Sequence, residues 1–441
     1  PIFLPTAYDS EGYPLKNEIS RNTNNSPKGT SYKYSSRNVF AEVRHRFSPD
    51  WKTKLEYNWT RNTIHDRQGY AAMKTDHDTR QIDLLETDSS EKSTTHSFAA
   101  SVDGKYNLLG RKHDILFGIS GFNTKNRAPS RFARYDNAFG LHDFLNNRSL
   151  RPANPVPDAE YTADDDIRAR QFGGYFATRF RPVERLALIG GARYSRITMQ
   201  KAEHVAGTNE KVTRSKATPY IGAVFDLSEN LSAYTSYGTS FEPVFERGKD
   251  GKFLKPTTGR NIEIGLKGEF FDQRLNVSAA LFDTRKNGMA KYVESGDYYV
   301  SEDNIRTRGF ETETAGRIND NWFVSAGYTV QNRKGGEDSY EADLPRHQIK
   351  LATTYDLNER LTLGGSLRWQ SKTSNINKSA LADENDASSL ERARKSATQK
   401  AYTLVDLMAA YRIGKNAEAT LNVNNVFNTR YRTLSTFLAY G

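Results

Sequence analysis

The chain has 441 residues, with 63 Lys and Arg against 53 Asp and Glu, a net charge of +10 and no Cys. Apolar residues make up 36% of it, below the usual ~45–50%, and the mean hydropathy is −0.76, yet aromatics reach 12% with 24 Tyr and 23 Phe. Such aromatic content argues against general disorder, no apolar run approaches the ~18 residues of a membrane helix, and the missing Cys removes disulfide frameworks, thiol catalysis and cysteine metal sites.

In chain order, the dominant signal is alternation of apolar and polar residues. It runs through Val39–Phe47, Trp51–Trp59 and Phe98–Leu108. In Asn261–Phe270, Ile262, Ile264, Leu266 and Phe270 share one face, and Asn261, Glu263, Lys267 and Glu269 the other. Leu275, Val277, Ala279 and Leu281 oppose Asn276 and Ser278. Trp322, Val324, Ala326 and Tyr328 oppose Asn321, Ser325 and Thr329; Ile349, Leu351, Thr353 and Tyr355 oppose Lys350, Thr354 and Asp356. Leu361–Trp369 and Ala417–Phe427 repeat the pattern. Period 2 predicts strands that are wet on one side and dry on the other. There are about 16 such segments, mostly of about 9–16 residues, longer than the ~5–6 residue mode of soluble strands and close to the ~9–11 that cross a bilayer. Helical periodicity is hinted at only in Leu381–Lys395, inside a loop.

The connections fall into two populations. Short turns are predicted at Ser48–Asp50, Leu109–Arg111, Pro182–Glu184, Ser228–Asn230, Asp272–Arg274, Asn319–Asp320, Asn358–Arg360 and Gly414–Asn416. Long polar loops are predicted at 61–91, 126–165, 203–212, 243–258, 287–304, 333–344 and 374–400. The two kinds alternate without a slip. Aromatics crowd the short turns (Phe47, Trp51, Tyr106, Phe180, Phe270, Phe271, Trp322, Tyr355, Tyr411), which in water wastes apolar surface and at a lipid–water boundary makes a girdle. A soluble propeller would repeat every ~40–45 residues with a recurring motif; the turns are irregularly spaced and no motif recurs. The predicted fold class is all-β, a transmembrane antiparallel β-barrel with short periplasmic turns and long extracellular loops.

Three stretches go beyond architecture. Ala417–Thr433, AEATLNVNNVFNTRYRT, resembles the penultimate strand of TonB-dependent outer-membrane receptors, N-V-x-N-[LV]-F-[ND]-x-x-Y. Tyr234–Pro243, YTSYGTSFEP, followed by Leu254–Gly288, resembles the siderophore branch, where F-x-P precedes L-x-P-E-x-G-x-x-Y-E-[IV]-G-[LV]-K. Arg306–Ile318, RTRGFETETAGRI, resembles the family's next strand, R-x-x-G-[FVW]-E. Thr257 and Ile262 depart from the usual Glu and Tyr. The resemblance implies a barrel of about 22 strands, of which 1–441 is a partial barrel domain. On that resemblance the N-terminal plug domain and its TonB box are expected to lie outside these residues, with about five strands before the loop-like opening PIFLPTAYDSEGYPLKNEISRNTNN and one after Phe437–Gly441. It further implies an outer-membrane receptor of a Gram-negative bacterium that imports a ferric siderophore of hydroxamate or pyoverdine-like type. The implied energy source is the TonB–ExbB–ExbD complex acting on the plug. The protein is expected to be a monomer amid outer-membrane lipid and lipopolysaccharide, without enzymatic activity, resident cofactor or nucleic-acid partner. A receptor of the same family for haem, cobalamin or another chelate, a passive porin and a barrel adhesin stay open as alternatives.

A siderophore surrounds Fe(III) with its own oxygens, so recognition calls for aromatic walls, hydrogen-bond donors and positive charge, with no protein ligand on the iron. The ligand-facing candidates are Tyr32, Tyr34, Arg131, Phe132, Arg134, Tyr135, Phe139, Phe241, Phe245, Tyr431, Phe437 and Tyr440. Their loops also carry Tyr8, Tyr13, Lys33, Arg127, Phe144, Arg148 and Arg151. For any one of these, packing of loop against loop is the simpler reading. Arg44, Arg46, Glu263 and Glu311 are expected to form charge pairs along the lumen wall or against the plug. Eight His are scattered without metal-ligand spacing. Asp76-His77-Asp78 and Asp164-Asp165-Asp166 read as solvated loop charge before they read as cation sites. No phosphate loop or catalytic serine arrangement is present, and the basic charge is spread over loops, not gathered into a nucleic-acid stripe.

Overall fold

The structure, a computed structural model, describes residues 6–15, 31–146, 163–293, 298–336, 344–376, 380–383 and 385–432, with the backbone alone over 67–73, 84–87, 132–139 and 144–146. Sixteen strands form one antiparallel sheet in chain order. They are β1 (Ser31–Ser48), β2 (Trp51–Thr75), β3 (Gln81–Leu108), β4 (Arg111–Gly140), β5 (Ala163–Val183), β6 (Leu186–Glu203), β7 (Thr208–Asp226), β8 (Leu231–Glu242), β9 (Thr257–Phe270), β10 (Leu275–Asn287), β13 (Ile305–Arg317), β14 (Trp322–Lys334), β15 (His347–Asp356), β16 (Leu361–Gln370), β17 (Tyr402–Arg412) and β18 (Glu418–Val423). A separate hairpin, β11 (Met289–Val293) with β12 (Tyr298–Glu302), fills the β10–β13 connection. Two helices, α1 (Leu141–Asn146) and α2 (Ala387–Ala397), lie in long connections.

All eight predicted short turns join neighbouring strands at one end of the sheet. The alternation is equally literal. Ile221 stands opposite Tyr237, Tyr237 opposite Ile262, and Ile264 opposite Leu281. These side chains form one outer face, with Ile221 62%, Ile264 59% and Leu281 57% exposed. On β6 that face reads Leu188, Gly190, Ala192, Tyr194 and then Arg196. The apolar band thus spans about nine residues, the depth of a bilayer.

Two boundaries differ from the sequence reading. The stretches 61–91 and 126–165, predicted as loops, are largely strand over their described residues: β2 runs to Thr75, β3 starts at Gln81 and β4 continues to Gly140. Ladder hydrogen bonds do not depend on side chains, so strands persist above the lipid, where both faces are wet and alternation ends. Strands β2–β5 accordingly reach 21 to 30 residues. The helix hinted at in Leu381–Lys395 begins later, because Asp386 caps it by accepting from the amides of Ser388 and Ser389.

The described core lies among the loops. Ala7, Tyr8, Leu15, Ile82, Leu141, Ala380, Leu381, Ala393 and Ala397 form one buried cluster. Thr6–Leu15 acts there as a clasp. The Ser10 amide donates to Thr75 O (2.7 Å), and Ser10 O accepts from the Ala382 amide (2.8 Å). Arg392 Nε donates to Glu11 O (2.8 Å) and Ser396 Oγ to Gly12 O (2.9 Å). Gly12, at φ +88°, lets the segment lie on α2; a Cβ there would stand 2.5 Å from Ser389 O. On a flat sheet β3 and β16 would be about 50 Å apart at ~4.8 Å per strand. A single residue, Ser10, touches the connections next to both. The sheet therefore curls around a lumen, and the clasp ties its two ends together above it.

Candidate functional site

The inner wall carries the polar half of each strand. Near the short turns, Glu42 pairs with Arg44 and with Lys54 (3.4 Å), and Lys54 with Glu56 (2.8 Å). Glu263 accepts the Tyr234 hydroxyl. Arg44 thus has a lumen-wall charge partner as expected, while Glu263 holds a hydroxyl where a charge pair was expected, and Arg46 and Glu311 form no ion pair among the described residues. His113, buried, donates from Nε2 to Leu108 O (2.9 Å) and accepts the Arg181 amide at Nδ1 (2.9 Å). It is a satisfied structural histidine.

At the long-loop end the wall becomes a mouth. Lys201 Nζ lies 2.7 Å from Glu203 Oε1 and 3.1 Å from Asp165 Oδ2. Glu203 Oε2 accepts Thr208 Oγ1 (2.6 Å) and meets Arg247 Nη2 (2.8 Å). Lys201 first, and then the Thr208 hydroxyl, push the Glu203 carboxyl down to about 2. Arg247 also lies over the Phe253 ring (5.4 Å), and its carbonyl accepts from the Tyr299 amide (2.8 Å). It pins the β8–β9 loop to the β6–β7 hairpin and to β12.

Beside this network the sheet splits. The β7–β8 ladder begins at Tyr220↔Gly238 and goes no higher. Pro219 is the next residue and has no N–H to donate; Thr239 Oγ1 reaches its carbonyl instead (2.9 Å). Above it opens a cavity of about 960 Å³, lined on one side by Arg214, Ser215 and Lys216 and on the other by Phe241 and Thr258, with Lys252, Phe253 and Lys255 from the loop. Its two carboxylates are engaged by backbone: Asp250 accepts the Lys252 amide (3.1 Å) and Asp303 the Gly288 amide (2.8 Å). The cleft is aromatic and cationic, with cations left over for a ligand.

The predicted ligand-facing residues scatter around this mouth. Tyr32 and Tyr34 share the inner-face alternation near the top of β1, and the Tyr34 hydroxyl donates to Asn62 Oδ1 (3.2 Å). Phe241 lines the cleft from the alternation shared with Tyr237, so it closes the lipid-ward side and does not project into the lumen. Phe245 lies in the β8–β9 loop and is half-buried. Tyr431 stacks on Tyr402, which the sequence reading did not single out (4.8 Å, 24°). Arg131, Phe132, Arg134, Tyr135 and Phe139 stand on β4 opposite Asp88, Thr87, Leu85, Leu84 and Ile82; the side chains of the last four lie outside the described ones. Phe437, Tyr440, Arg148 and Arg151 lie outside the described residues altogether. Tyr8 is buried in the clasp, and Tyr13 carries Arg392 over its ring (4.9 Å); both contacts are packing of loop against loop. Arg214, Lys216, Arg247, Lys252, Phe253 and Lys255 were missed. Only the proline interrupting an otherwise regular strand pointed to the cleft.

Five of the six residues in the two acidic triplets engage protein groups. Asp164 pairs with Arg127 (2.9 Å), Asp165 with Lys201 and Asp166 with His204 (3.3 Å). Asp76 accepts from the amides of Asp78 (3.1 Å) and Thr79 (2.8 Å). His77 Nδ1 lies 2.8 Å from Asp9 Oδ2. Among the described residues no group of His, Asp and Glu is placed to hold a metal ion.

His77 gives the clasp an expected pH dependence. Its hydrogen bond to Asp9, aided by the charges of Glu11 and Asp78, raises its pKa above the ordinary value. Arg80 opposes it at Asp9 (3.0 Å), and the Tyr13 ring lies 5.0 Å away. A raised folded pKa means the contribution is complete below the unfolded value of about 6.5 and is lost as pH rises through the folded one. Hydrogen exchange over Thr6–Leu15 is expected to be slower at pH 5.5 than at pH 8 after correction for intrinsic rates; His77→Gln should flatten that difference.

Residues 3–426 match the family described as "TonB dependent receptor-like, beta-barrel". The chain belongs to the TonB-dependent receptor β-barrel family. This barrel lies in the outer membrane of a Gram-negative bacterium, the short turns at the periplasmic rim and the mouth outside. The chain is 30% identical over 449 residues to the ferripyoverdine receptor of Pseudomonas aeruginosa, covering 97% of this chain and 52% of that protein. It is 25% identical over 414 residues to the ferrioxamine B receptor of Salmonella typhimurium, with 90% and 55% covered. The crystal structure of the P. aeruginosa outer-membrane ferripyoverdine receptor bound to ferripyoverdine superposes at a TM-score of 0.82, with 28% identity over 99% of this chain and 58% of that one. This TonB-dependent barrel thus spans about half the length of the curated relatives it matches.

Proposed function

We propose that this barrel forms the wall and mouth of a receptor that captures a ferric siderophore and imports it into the periplasm. The observation that carries the reading is the cleft beside β7, where aromatic rings and cations with no ion pair among the described residues line a space of about 960 Å³, within the usual range of ligand pockets, ~300–1,000 Å³. A ferric chelate presents oxygens, delocalised rings and charge, and such walls bind it without touching the iron. The relatives named for ferripyoverdine and ferrioxamine B support the same substrate class. In this reading 1–441 is one part of a longer receptor. A plug domain fills the lumen, the TonB–ExbB–ExbD complex supplies energy through a plug segment, and lipopolysaccharide surrounds the barrel. The receptor acts as a monomer, performs no catalysis and holds no resident cofactor; iron is cargo.

The test is a fluorescence-quenching titration of the longest reading frame that carries this chain, folded in detergent. Ferric hydroxamates, a ferripyoverdine, a ferric catecholate, haem and cobalamin are compared side by side. Saturable quenching by a ferric hydroxamate or ferripyoverdine, with haem and cobalamin inert, is the expected result. Binding of haem or cobalamin alone would overturn the substrate class, and binding of none would point to a passive barrel.

A further inference from the structure

We infer that the cleft beside β7 binds an extended, acidic peptide arm of the chelate as an added strand, its amides paired to the free edge of β7. The inference rests on the siderophore reading of that cleft, and it names the part of the ligand that the cleft recognises and the backbone groups that recognise it.

Along an antiparallel strand, successive residues turn their N–H and C=O groups to opposite neighbours. On β7 the Asp226 amide donates toward β6, to Arg185 O (2.8 Å), and the next amide, Leu227, donates toward β8, to Leu231 O (2.8 Å). The β6–β7 register runs from Leu186↔Phe225 to Glu203↔Thr208 without a shift. Even-numbered residues of β7 therefore bond β6 along its whole length, and odd-numbered ones turn the other way. Pro219 agrees with this parity, since its carbonyl accepts Thr239 Oγ1 from β8 (2.9 Å). Above Pro219 the ladder to β8 has ended. Ala217, Ser215, Thr213 and Lys211 thus turn N–H and C=O toward the cleft side, and no described backbone group pairs with them there. A side chain, Arg214 Nη1, reaches Thr213 O (3.4 Å). On β8 the carbonyl of Asn230 accepts the Glu269 amide of β9 (2.9 Å), so Thr239 and Phe241 present their own backbone to the cleft from its other side.

A bare edge inside a sheet is a template for one more strand. Its free N–H groups recur at every second residue, ~7 Å apart, which is the repeat of an extended peptide. Side chains then select the charge of that peptide. Arg214, Lys216, Lys252 and Lys255 line the cleft, and its two carboxylates, Asp250 and Asp303, already accept backbone amides. Such cations keep a neutral or basic strand off the edge and favour an arm that carries carboxylates. Pro219 sets the lower limit of the added strand, because it has no N–H to offer and its carbonyl is engaged.

The test uses the longest reading frame carrying this chain, folded in detergent, and three synthetic ferric chelates with the same hydroxamate groups. One carries a linear Asp-bearing peptide arm, one the same arm with its amides N-methylated, and one an amide-free arm with the same carboxylates. By fluorescence quenching the peptide form should bind wild type about ten-fold more tightly than either of the others, the effect of two or three ordinary hydrogen bonds. Ser215→Pro/Ala217→Pro removes two cleft-facing N–H groups and no bond to β6, as Pro219 already does lower in the strand. In that variant the peptide form should fall to the affinity of its N-methylated counterpart. Equal wild-type affinities for these two forms, or a gap between them that survives the double proline, would overturn the strand addition. If the proline variant does not fold, the wild-type comparison decides by itself. Equal binding of all three chelates would keep the siderophore reading and defeat the added strand. Binding of the iron-free peptide arm as tight as that of its ferric chelate would keep the edge and defeat the siderophore reading, and no binding by any of them would defeat both.

Discussion

Asp9→Ala is expected to release Thr6–Leu15 from the connections it joins while leaving the sheet folded. The Asp9 side chain is fully buried. Its Oδ1 accepts the amides of Glu11 (3.1 Å) and Tyr13 (2.9 Å), and its Oδ2 meets His77 (2.8 Å) and Arg80 (3.0 Å). Truncation leaves the Glu11 and Tyr13 amides without this acceptor and takes the carboxylate away from the His77 imidazole and the Arg80 guanidinium. His77 and Arg80 are partly exposed and recover some hydration, so the cost is about 3 kcal/mol, toward the low end for breaking a buried ion pair. At that cost the clasp's open fraction rises roughly a hundred-fold. Limited proteolysis should then cut within residues 6–15 at a protease level that spares wild type, while far-UV circular dichroism and heat-resistant gel mobility stay unchanged. Asp9→Asn keeps an acceptor for the amides and loses the charge, so it should fall in between. A wild-type cleavage pattern for Asp9→Ala would mean that the apolar cluster holds the segment by itself.

The barrel was legible in the sequence and the mouth was not, for one physical reason. Lipid imposes a strict rule on one face of each strand, and a residue such as Ile264 or Leu281 obeys it without regard to its neighbours. Above the lipid no such rule operates. Asp88 and Arg131 stand in a regular ladder position, yet neither carries a strand signal, because both faces there meet water. The clasp is equally silent. Asp9 and His77 are 68 residues apart, and nothing in either neighbourhood announces the other. The Leu381–Lys395 signal did locate a helix, and its Asp386 cap could have been read as well, since Asp just before a helical run is a standard start signal. The cleft was within reach through Pro219, whose missing N–H removes one donor from an inner strand at the point where the β7–β8 ladder stops.

Gly316→Ala is expected to be among the most damaging single-methyl additions to the barrel, by about 3 kcal/mol. Gly316 stands opposite Leu275 on one side and Val324 on the other, near the periplasmic rim. Its φ of +147° lies where side chains are rarely tolerated. An added Cβ would overlap the Arg274 carbonyl oxygen and come within 2.7 Å of Leu275 Cα. Neither is a flexible side-chain end. Relief requires moving the start of β10, and that same Arg274 carbonyl accepts the Arg317 amide (2.8 Å). Strain and backbone displacement therefore add, each typically ~1–3 kcal/mol. Gly190→Ala is the matched control, since nothing lies within 4 Å of its added Cβ. Urea unfolding in detergent, followed by heat-modifiable gel mobility, should show a clearly lowered midpoint for Gly316→Ala and an unchanged one for Gly190→Ala. Equal midpoints would show that the β10–β13 rim yields freely, and that its close approach at Gly316 does not constrain the fold.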